Sequence, residues 1–417
     1  MVPGGAARRP GTPRLLRELN DRAALRLLLD GRQVTRSQLA DLTGVSKVTV
    51  AQMLARLEER GLVAGVGELA GGRGPNATLY SAVPASAYAA GLYVEQGLVI
   101  TAVADVTGTV IAEVRQDASG APELGLVRSA VDRVCASAGI SVEELSAFVI
   151  GSPGVVDPRT GDPLLTINLP EWHEGVRDGL CGALRKPVLI ENDVNLAAMA
   201  ERAVGAAVGV DDFVLLWAGI GVGLGTVIGG RLHRGVSGAA GEIGWLPAPG
   251  APLTHDVRVP AAGGLQWLVG GEAVRRLAAE HGLGEMTADG AVRAAVAAVT
   301  GRSATSSLTD GGDSPAPAPG VLADEATAFL DELAYRMAVG ATAVCAVLDP
   351  GLVVLGGEVG LAGGAELADR VAARVKKMCP VPPRVVATGI DSDPVLRGAL
   401  LTAVDQARAD LLASVGE

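Results

Sequence analysis

Two short segments hold the side chains best suited to chemistry. The first, Leu189-Ile190-Glu191-Asn192-Asp193-Val194-Asn195, reads as a strand running into a helix. Polar groups at the carboxyl end of a strand stand where α/β folds take their ligands. Asp193 could accept a proton from a substrate hydroxyl, and the Asn192 amide could donate to and accept from a diol. An Asp or Asn helix cap explains the same two residues. The second segment is the run from Gly235 to Trp245, where glycines flank Glu242. Glu242 could bridge two vicinal hydroxyls; a solvated turn glutamate is the competing explanation. A glycine turn from Ala218 to Gly225, with a companion at Val354-Leu355-Gly356-Gly357, could present backbone N–H groups to phosphate oxygens. Its Gly219-x-Gly221-x-Gly223-x-Gly225 spacing is not G-x-G-x-x-G, so a dinucleotide-binding reading is rejected.

The elements that must position these groups alternate between strand and helix. Leu92 to Ala104 reads as two apolar strand segments, followed by a turn at Asp105–Gly108 and a strand at Val110–Ala112. A helix follows over 122–138, and Phe148–Gly151 is a buried strand entering a Ser152-Pro153-Gly154 turn. Pro187–Ile190 is a strand and Val194–Gly205 a helix. This order indicates α/β architecture with a mixed sheet. Residues 213–230 are uncharged, but their six glycines argue against a membrane helix and for strand, turn and strand. Asp324–Leu348 reads as a long buried helix and Leu352–Leu355 as a strand completing a sheet. The Ser/Pro/Gly/Ala-rich stretch 301–320 is expected to be a disordered surface loop.

Ahead of this body lies Thr35-Arg36-Ser37-Gln38-Leu39 through Val63, which reads as two short helices joined by a tight turn. Thr35 caps the first helix, Leu39 and Leu42 form its buried face, and Gly44 ends it. Ser46 caps the second, whose Val50, Leu54 and Leu57 make one apolar stripe. Arg36, Ser46, Lys47, Thr49, Gln52 and Arg56 are the candidate DNA contacts, with Lys47, Thr49, Gln52 and Arg56 off that stripe. A short helix backed by another suits the major groove. Strands at 62–64 and 78–80 around Gly71-Gly72-Arg73-Gly74-Pro75 add a wing, with Arg73 at its tip as a further contact.

The bulk figures fit this division. The 417 residues allow one small domain and a larger body. Net charge is −11, yet residues 1–80 hold twelve Arg and Lys against seven Asp and Glu, a basic head on an acidic body. Four scattered cysteines, with no C-x-x-C pair, read as reduced core residues of a cytoplasmic protein rather than zinc ligands or disulfides. The N-terminus lacks an apolar signal core and reads as a flexible tail over 1–14, before a winged helix-turn-helix domain at 15–82 and a body at 88–417.

GSPGVVDPRTG, LIENDVNLAAMAE, GIGVGLGTVIGGRLHRGVSGAAGEIG and LDPGLVVLGGEV, in that order behind the winged helix, resemble the transcription-factor branch of the ROK family (repressors, open reading frames, kinases). The resemblance implies a two-lobed actin-like, hexokinase-type (ribonuclease H-like) body with a sugar cleft between the lobes. It implies sugar contacts at Asn192, Asp193 and Glu242, and a further one at Asn168; Asp193 matches the general base of the kinase members. Three departures point away from catalysis. Kinase members open the body with an Asp-x-Gly-x-Thr-like phosphate loop, and here Tyr93 stands at the Asp position. Tyrosine cannot replace a carboxylate at a metal, and phosphoryl transfer depends on that positioning. Trp245 stands where zinc-binding members carry His, residues 246–270 lack cysteine, and Gln266 stands where a sugar-binding Glu is usual. No metal and no cofactor are therefore expected, and Asp193 becomes a vestigial base. Trp245 and Gln266 join the expected ligand contacts. The expectation is a cytoplasmic regulator, a repressor in preference to an activator. As a homodimer or homotetramer it would bind double-stranded operator DNA and sense a sugar, a phosphosugar or another small molecule. The alternative is an active ATP-dependent sugar kinase with an accessory DNA-binding head.

Overall fold

A computed structural model describes residues 13–70, 76–95, 97–117, 124–166, 175–256, 263–301 and 323–415. The expected tail, the wing tip with Arg73, Asn168 and nearly all of the expected loop at 301–320 lie outside the described residues.

The head consists of α1 (Pro13–Leu29), β1 (Val34–Thr35), α2 (Arg36–Thr43), α3 (Lys47–Glu59), β2 (Val63–Leu69) and β3 (Ala77–Ala82). Local chemistry fixes α2 and α3. Thr35 and Gln38 form a reciprocal cap at the start of α2, Gly44 ends it at φ 72°, and the Ser46 hydroxyl accepts from the Thr49 N–H. Val50, Met53, Leu54 and Leu57 bury the inner face of α3 against α1 and α2. β3 pairs with both β1 and β2 in a small antiparallel sheet. Leu42 departs from the sequence expectation: it is 50% exposed, while Leu39 and Ala40 carry the buried face of α2.

The first lobe of the body comprises β4 (Tyr88–Glu95), β5 (Leu98–Asp105), β6 (Val110–Asp117), α4 (Leu124–Ala138), β7 (Leu145–Ser152), β8 (Val155–Val156), β9 (Pro163–Leu165), α5 (Val176–Leu184) and β10 (Val188–Asn192). Its sheet runs β10-β7-β4-β5-β6, with β10, β7 and β4 parallel. Helix α6 (Asp193–Val204) crosses to the second lobe, formed by β11 (Phe213–Ala218), β12 (Val222–Ile228), β13 (Arg231–Leu232), α7 (Gln266–Val269), α8 (Gly271–Glu280), α9 (Ala288–Thr300), α10 (Ala323–Leu348), β14 (Leu352–Gly356), α11 (Gly357–Met378) and β15 (Arg384–Ala387). That sheet runs β13-β12-β11-β14-β15. The glycine-rich stretch at 213–230 is thus strand, turn and antiparallel strand, as its composition requires. Two mixed sheets joined by crossover helices give the α/β, two-lobed, actin-like body. Among the described residues no helix is long and apolar enough to cross a membrane, and all four cysteines are free thiols.

The last helix, α12 (Pro394–Ser414), returns to the first lobe and packs on α6, β4 and β7. Contact is close to backbone distance: a Cβ on Gly398 would lie 1.9 Å from the Leu196 carbonyl oxygen of α6. At its far end α12 meets the head. The Arg22 and Arg60 guanidinium groups donate to the carbonyl oxygens of Ala413 and Ser414 at 3.2 and 2.9 Å. Both carbonyls lie in the last turn of α12, and two cations at the negative end of a helix suit its dipole. Arg408 donates to the Leu29, Val106 and Thr107 carbonyls, each at 2.9 Å, tying head, first lobe and α12 at one point.

Replacing Gly398 with Ala forces α12 off α6. Overpacking of this kind costs about 1–3 kcal/mol or more, so thermal unfolding of Gly398→Ala should begin several degrees below wild type. An unchanged melting temperature would mean that the α6–α12 contact is looser than described.

Candidate functional site

The cleft between the lobes is a cavity of about 210 Å³. Tyr93, the Pro153–Gly154 turn, Asn192 and Asp193 line one wall. Trp217, the turn from Ile220 to Leu224, Glu242, Trp245, Gln266 and Glu358 line the other. Asp193, Glu242 and Glu358 bring three carboxylates to the cleft, and among the described residues no Lys, Arg or His lines it. Asp193 is pushed up to about 7 by burial, with the Glu242 and Glu358 charges adding to the shift and the Val194 N–H opposing it. Burial likewise pushes Glu242 up to about 7. Side chains so poised can accept from hydroxyls when charged and donate to oxygens when protonated.

Local folding explains how they are held. Asp193 opens α6, and its Oδ1 accepts from its neighbour's N–H at 2.8 Å. Glu242 sits on a loop pinned to β12, where the Leu224 N–H donates to the Gly241 carbonyl at 2.9 Å. Gly241 has φ 105°, and a Cβ there would fall 2.1 Å from the Leu224 oxygen, so only glycine brings Glu242 this near. Behind the cleft, Glu191 is 5% exposed. It accepts from the Asn195 amide at 2.9 Å and pairs with Arg234 of the second lobe at 2.6 Å.

Two expected contacts are engaged with the protein itself. Asn192 caps α6, accepting from the Asn195 N–H at 2.9 Å, while its amide donates to the Gly154 carbonyl at 2.9 Å and to Asp193 at 3.0 Å. It lines the cleft but works as the helix cap that also explained its sequence. Gln266 accepts from the Val222 N–H and donates to the Ile220 carbonyl, both at 2.9 Å, clamping the glycine turn. Sequence reasoning passed over Glu358, although an acid directly after the Gly356-Gly357 pair was visible as a signal.

A second cavity of about 780 Å³ opens beyond Glu358 and Gln266 into the second lobe. Glu272, Glu285, Asp289 and Glu358 line it, with Arg275 as its one basic residue among those described. Arg275 is itself paired with Glu272 at 3.0 Å. Among the described residues no group of three or more His, Cys, Asp or Glu could hold a metal ion.

On the head, Lys47, Gln52 and Ser46 are exposed along α3, and Thr49 is half-buried with its hydroxyl 2.9 Å from that of Ser46. Arg36 is exposed and donates to the Tyr80 hydroxyl at 2.5 Å. Val48 is 69% exposed at the start of α3, an apolar side chain on the outer face that sequence periodicity passed over; such a group suits a thymine methyl. Arg56 departs from the expected outward placement. Its Nε and Nη2 grip Asp21 of α1 at 2.8 and 2.5 Å, because the third turn of α3 passes over a carboxylate that is 7% exposed.

A family model described as ROK family matches residues 99–406, and one described as winged helix-turn-helix DNA-binding matches residues 17–64. A xylose repressor of Caldicellulosiruptor bescii is 28% identical over 238 residues, covering 56% of this chain and 60% of the relative. A glucokinase of Halalkalibacterium halodurans is 27% identical over 244 residues, covering 57% of this chain and 68% of the relative. The chain thus spans about 60% of the length of the xylose repressor it matches. A crystal structure described as a ROK family transcriptional regulator, homolog of E. coli MLC protein, superposes with a TM-score of 0.71. It covers 96% of this chain and 99% of its own at 17% identity, a likeness of fold.

Two outcomes follow from this geometry. Glu242 has a folded pKa raised above its ordinary value, so burial costs nothing while the group is protonated in both states, below about pH 4. The cost grows as pH rises and is complete above about pH 7. Glu242→Gln should therefore melt a few degrees above wild type at pH 8, with the gap shrinking at pH 5; an equal gain at both pH values would assign it to packing. Arg56→Ala strands a buried carboxylate, so hydrogen exchange across α1 and α3 should accelerate, and adding Asp21→Ala should recover part of the loss. Protection unchanged in the single variant would show that the pair is dispensable.

Proposed function

We propose that this chain, which belongs to the ROK family and carries a winged helix-turn-helix head, is a transcriptional repressor whose kinase-like body senses a sugar or sugar derivative. One observation carries the reading: a reading helix with Lys47, Val48 and Gln52 exposed stands ahead of a cleft that keeps carboxylates for hydroxyl groups and, among the described residues, no basic side chain for phosphate. The repressor name of a relative supports it. The protein acts in the cytoplasm as a homodimer or homotetramer, each head gripping half of a pseudo-palindromic operator. Arg36, Ser46, Thr49 and Arg73 contribute phosphate or base contacts alongside Lys47 and Gln52. Asp193, Glu242, Trp245 and Asn168 meet the effector, with Asn192 and Gln266 shaping its walls.

The body does not turn over ATP. A magnesium nucleotide needs a carboxylate for the metal and cations for the phosphates. Here Tyr93 stands at the first position, and the adjoining cavity offers acids and one paired arginine. These residues do not fit the group. Glucokinase relatives make the opposing reading worth one experiment: a coupled assay with ATP and a hexose panel. Turnover that Asp193→Asn abolishes would replace the proposal with a kinase.

The proposal predicts binding of the protein to discrete genomic sites, released by the metabolite of a neighbouring gene cluster. In a bind-and-select experiment with randomised operators, Gln52→Ala should lose about 1–3 kcal/mol of discrimination at one base position. Lys47→Ala should weaken all sequences alike and reduce the salt slope by about one. Identical selected sequences and slopes for both variants and wild type would remove α3 from the groove.

A further inference from the structure

The outer face of α3 carries little that can hydrogen-bond to a base. At about 100° per residue, Val50, Met53, Leu54 and Leu57 gather on one side, packed against α1 and α2. Val48 falls almost diametrically opposite them and is 69% exposed, so it points away from the core of the head. Gln52 and Ala55, both exposed, follow it along the same face, and Lys47 and Thr49 project to its two sides. Other polar groups of the helix are committed inward. The Ser46 hydroxyl accepts from the Thr49 N–H at 3.2 Å and lies 2.9 Å from the Thr49 hydroxyl. Arg56 grips Asp21 of α1, and Arg60 donates to the Ser414 carbonyl at the end of α12. Arginine is the commonest reader of guanine, and both arginines of this segment are held by the protein. Folding does not account for Val48. A β-branched side chain loses rotamer freedom in a helix, and this one gains little burial in return. It stands in the first turn, the part of a reading helix that meets base edges.

We infer that Val48 is a specificity-determining residue, whose methyl groups pack on the C5-methyl of a thymine in the major groove of the operator half-site. This deepens the repressor reading above and rests on it. Thymine is the one base that shows an apolar group in that groove. Cytosine in its place offers no methyl and an amino donor that valine leaves without a partner. Gln52, one turn on and about 6 Å along the helix, matches adenine with its bidentate amide. The two side chains therefore read bases within about two steps of each other. Lys47, to one side of that line, is left for phosphate.

The test uses full-length protein and the duplex it selects from a randomised pool. Within that duplex each thymine is replaced in turn by uracil, which removes the methyl group and changes no hydrogen bond. Wild type should lose about three- to fourfold in affinity at one thymine of each half-site, the effect of one buried methyl. Val48→Ala should bind the thymine and uracil duplexes alike, whereas Gln52→Ala should keep the wild-type ratio. Exchanging that T·A pair for C·G should weaken wild type further, and 5-methylcytosine in place of the cytosine should restore part of the loss for wild type but not for Val48→Ala. Wild type that tolerates uracil at every thymine, a measurement that needs no variant to fold, would overturn the inference. So would a Val48→Ala protein that keeps the full thymine-to-uracil ratio. A protein that selects no sequence sinks the repressor reading and the role of Val48 with it, whereas one that selects a site but ignores thymine methyls sinks only the role of Val48.

Discussion

Backbone-level packing of α12 against α6 and β4 is the constraint on which the rest of the molecule depends. Gly398 meets the Leu196 carbonyl, and a Cβ on Gly91 of β4 would lie 2.7 Å from the Leu400 nitrogen. Contacts this close leave no room for sliding, because interiors packed to crystal density move between discrete arrangements rather than deform. The helix therefore acts as a strut. Its first turn stands at the lobe junction, where Asp393 pairs with Arg115 at 2.5 Å. Its last turn is capped by Arg22 and Arg60 of the head.

A strut fixed to the first lobe limits how the cleft can speak to the head. One apolar core joins the head, α6, α12, one face of the first lobe's sheet and Phe213, Leu215, Leu352 and Val354 of the second lobe's sheet, while the other face of each sheet has a core of its own. A change in the angle between the lobes would therefore work against a core that both lobes share with the head. A ligand shifts that equilibrium only by its difference in affinity for the open and closed forms, commonly about 1–3 kcal/mol. The Glu191–Arg234 pair, one partner in each lobe, is positioned to differ between those forms.

The cleft shows a second economy. Three acids face one another there, and burial pushes Asp193 and Glu242 up to about 7. In a kinase such acids would work beside a metal and a phosphate. Here Gln266 holds the glycine turn at Ile220 and Val222, and the Glu358 carboxylate lies against Gly219.

Sequence alone determined what short-range physics controls. The caps at Thr35, Gly44 and Ser46, the stripe of Val50, Leu54 and Leu57, and the strand-turn-strand at 213–230 follow from side-chain type and period, because each is satisfied within a few residues. The motif order placed Asp193 and Glu242 in one cleft through resemblance, which carries long-range information that spacing does not. Tertiary structure decided which polar side chains are free to act. Arg56 looked outward on a helical wheel until α1 brought Asp21 beneath it, and Leu42 looked buried until α2 turned its Ala40 side to the core. Gln266 and Asn192 were legible as cleft residues but not as clamps, since their backbone partners lie up to 46 residues away. Glu358 needed both sheets in place before its carboxylate could be seen in the turn of another strand. The physical reason is common to Arg56, Gln266 and Asn192. A polar group bonds to whatever the fold brings within about 3 Å, and that neighbour is set by packing, not by the chain around it.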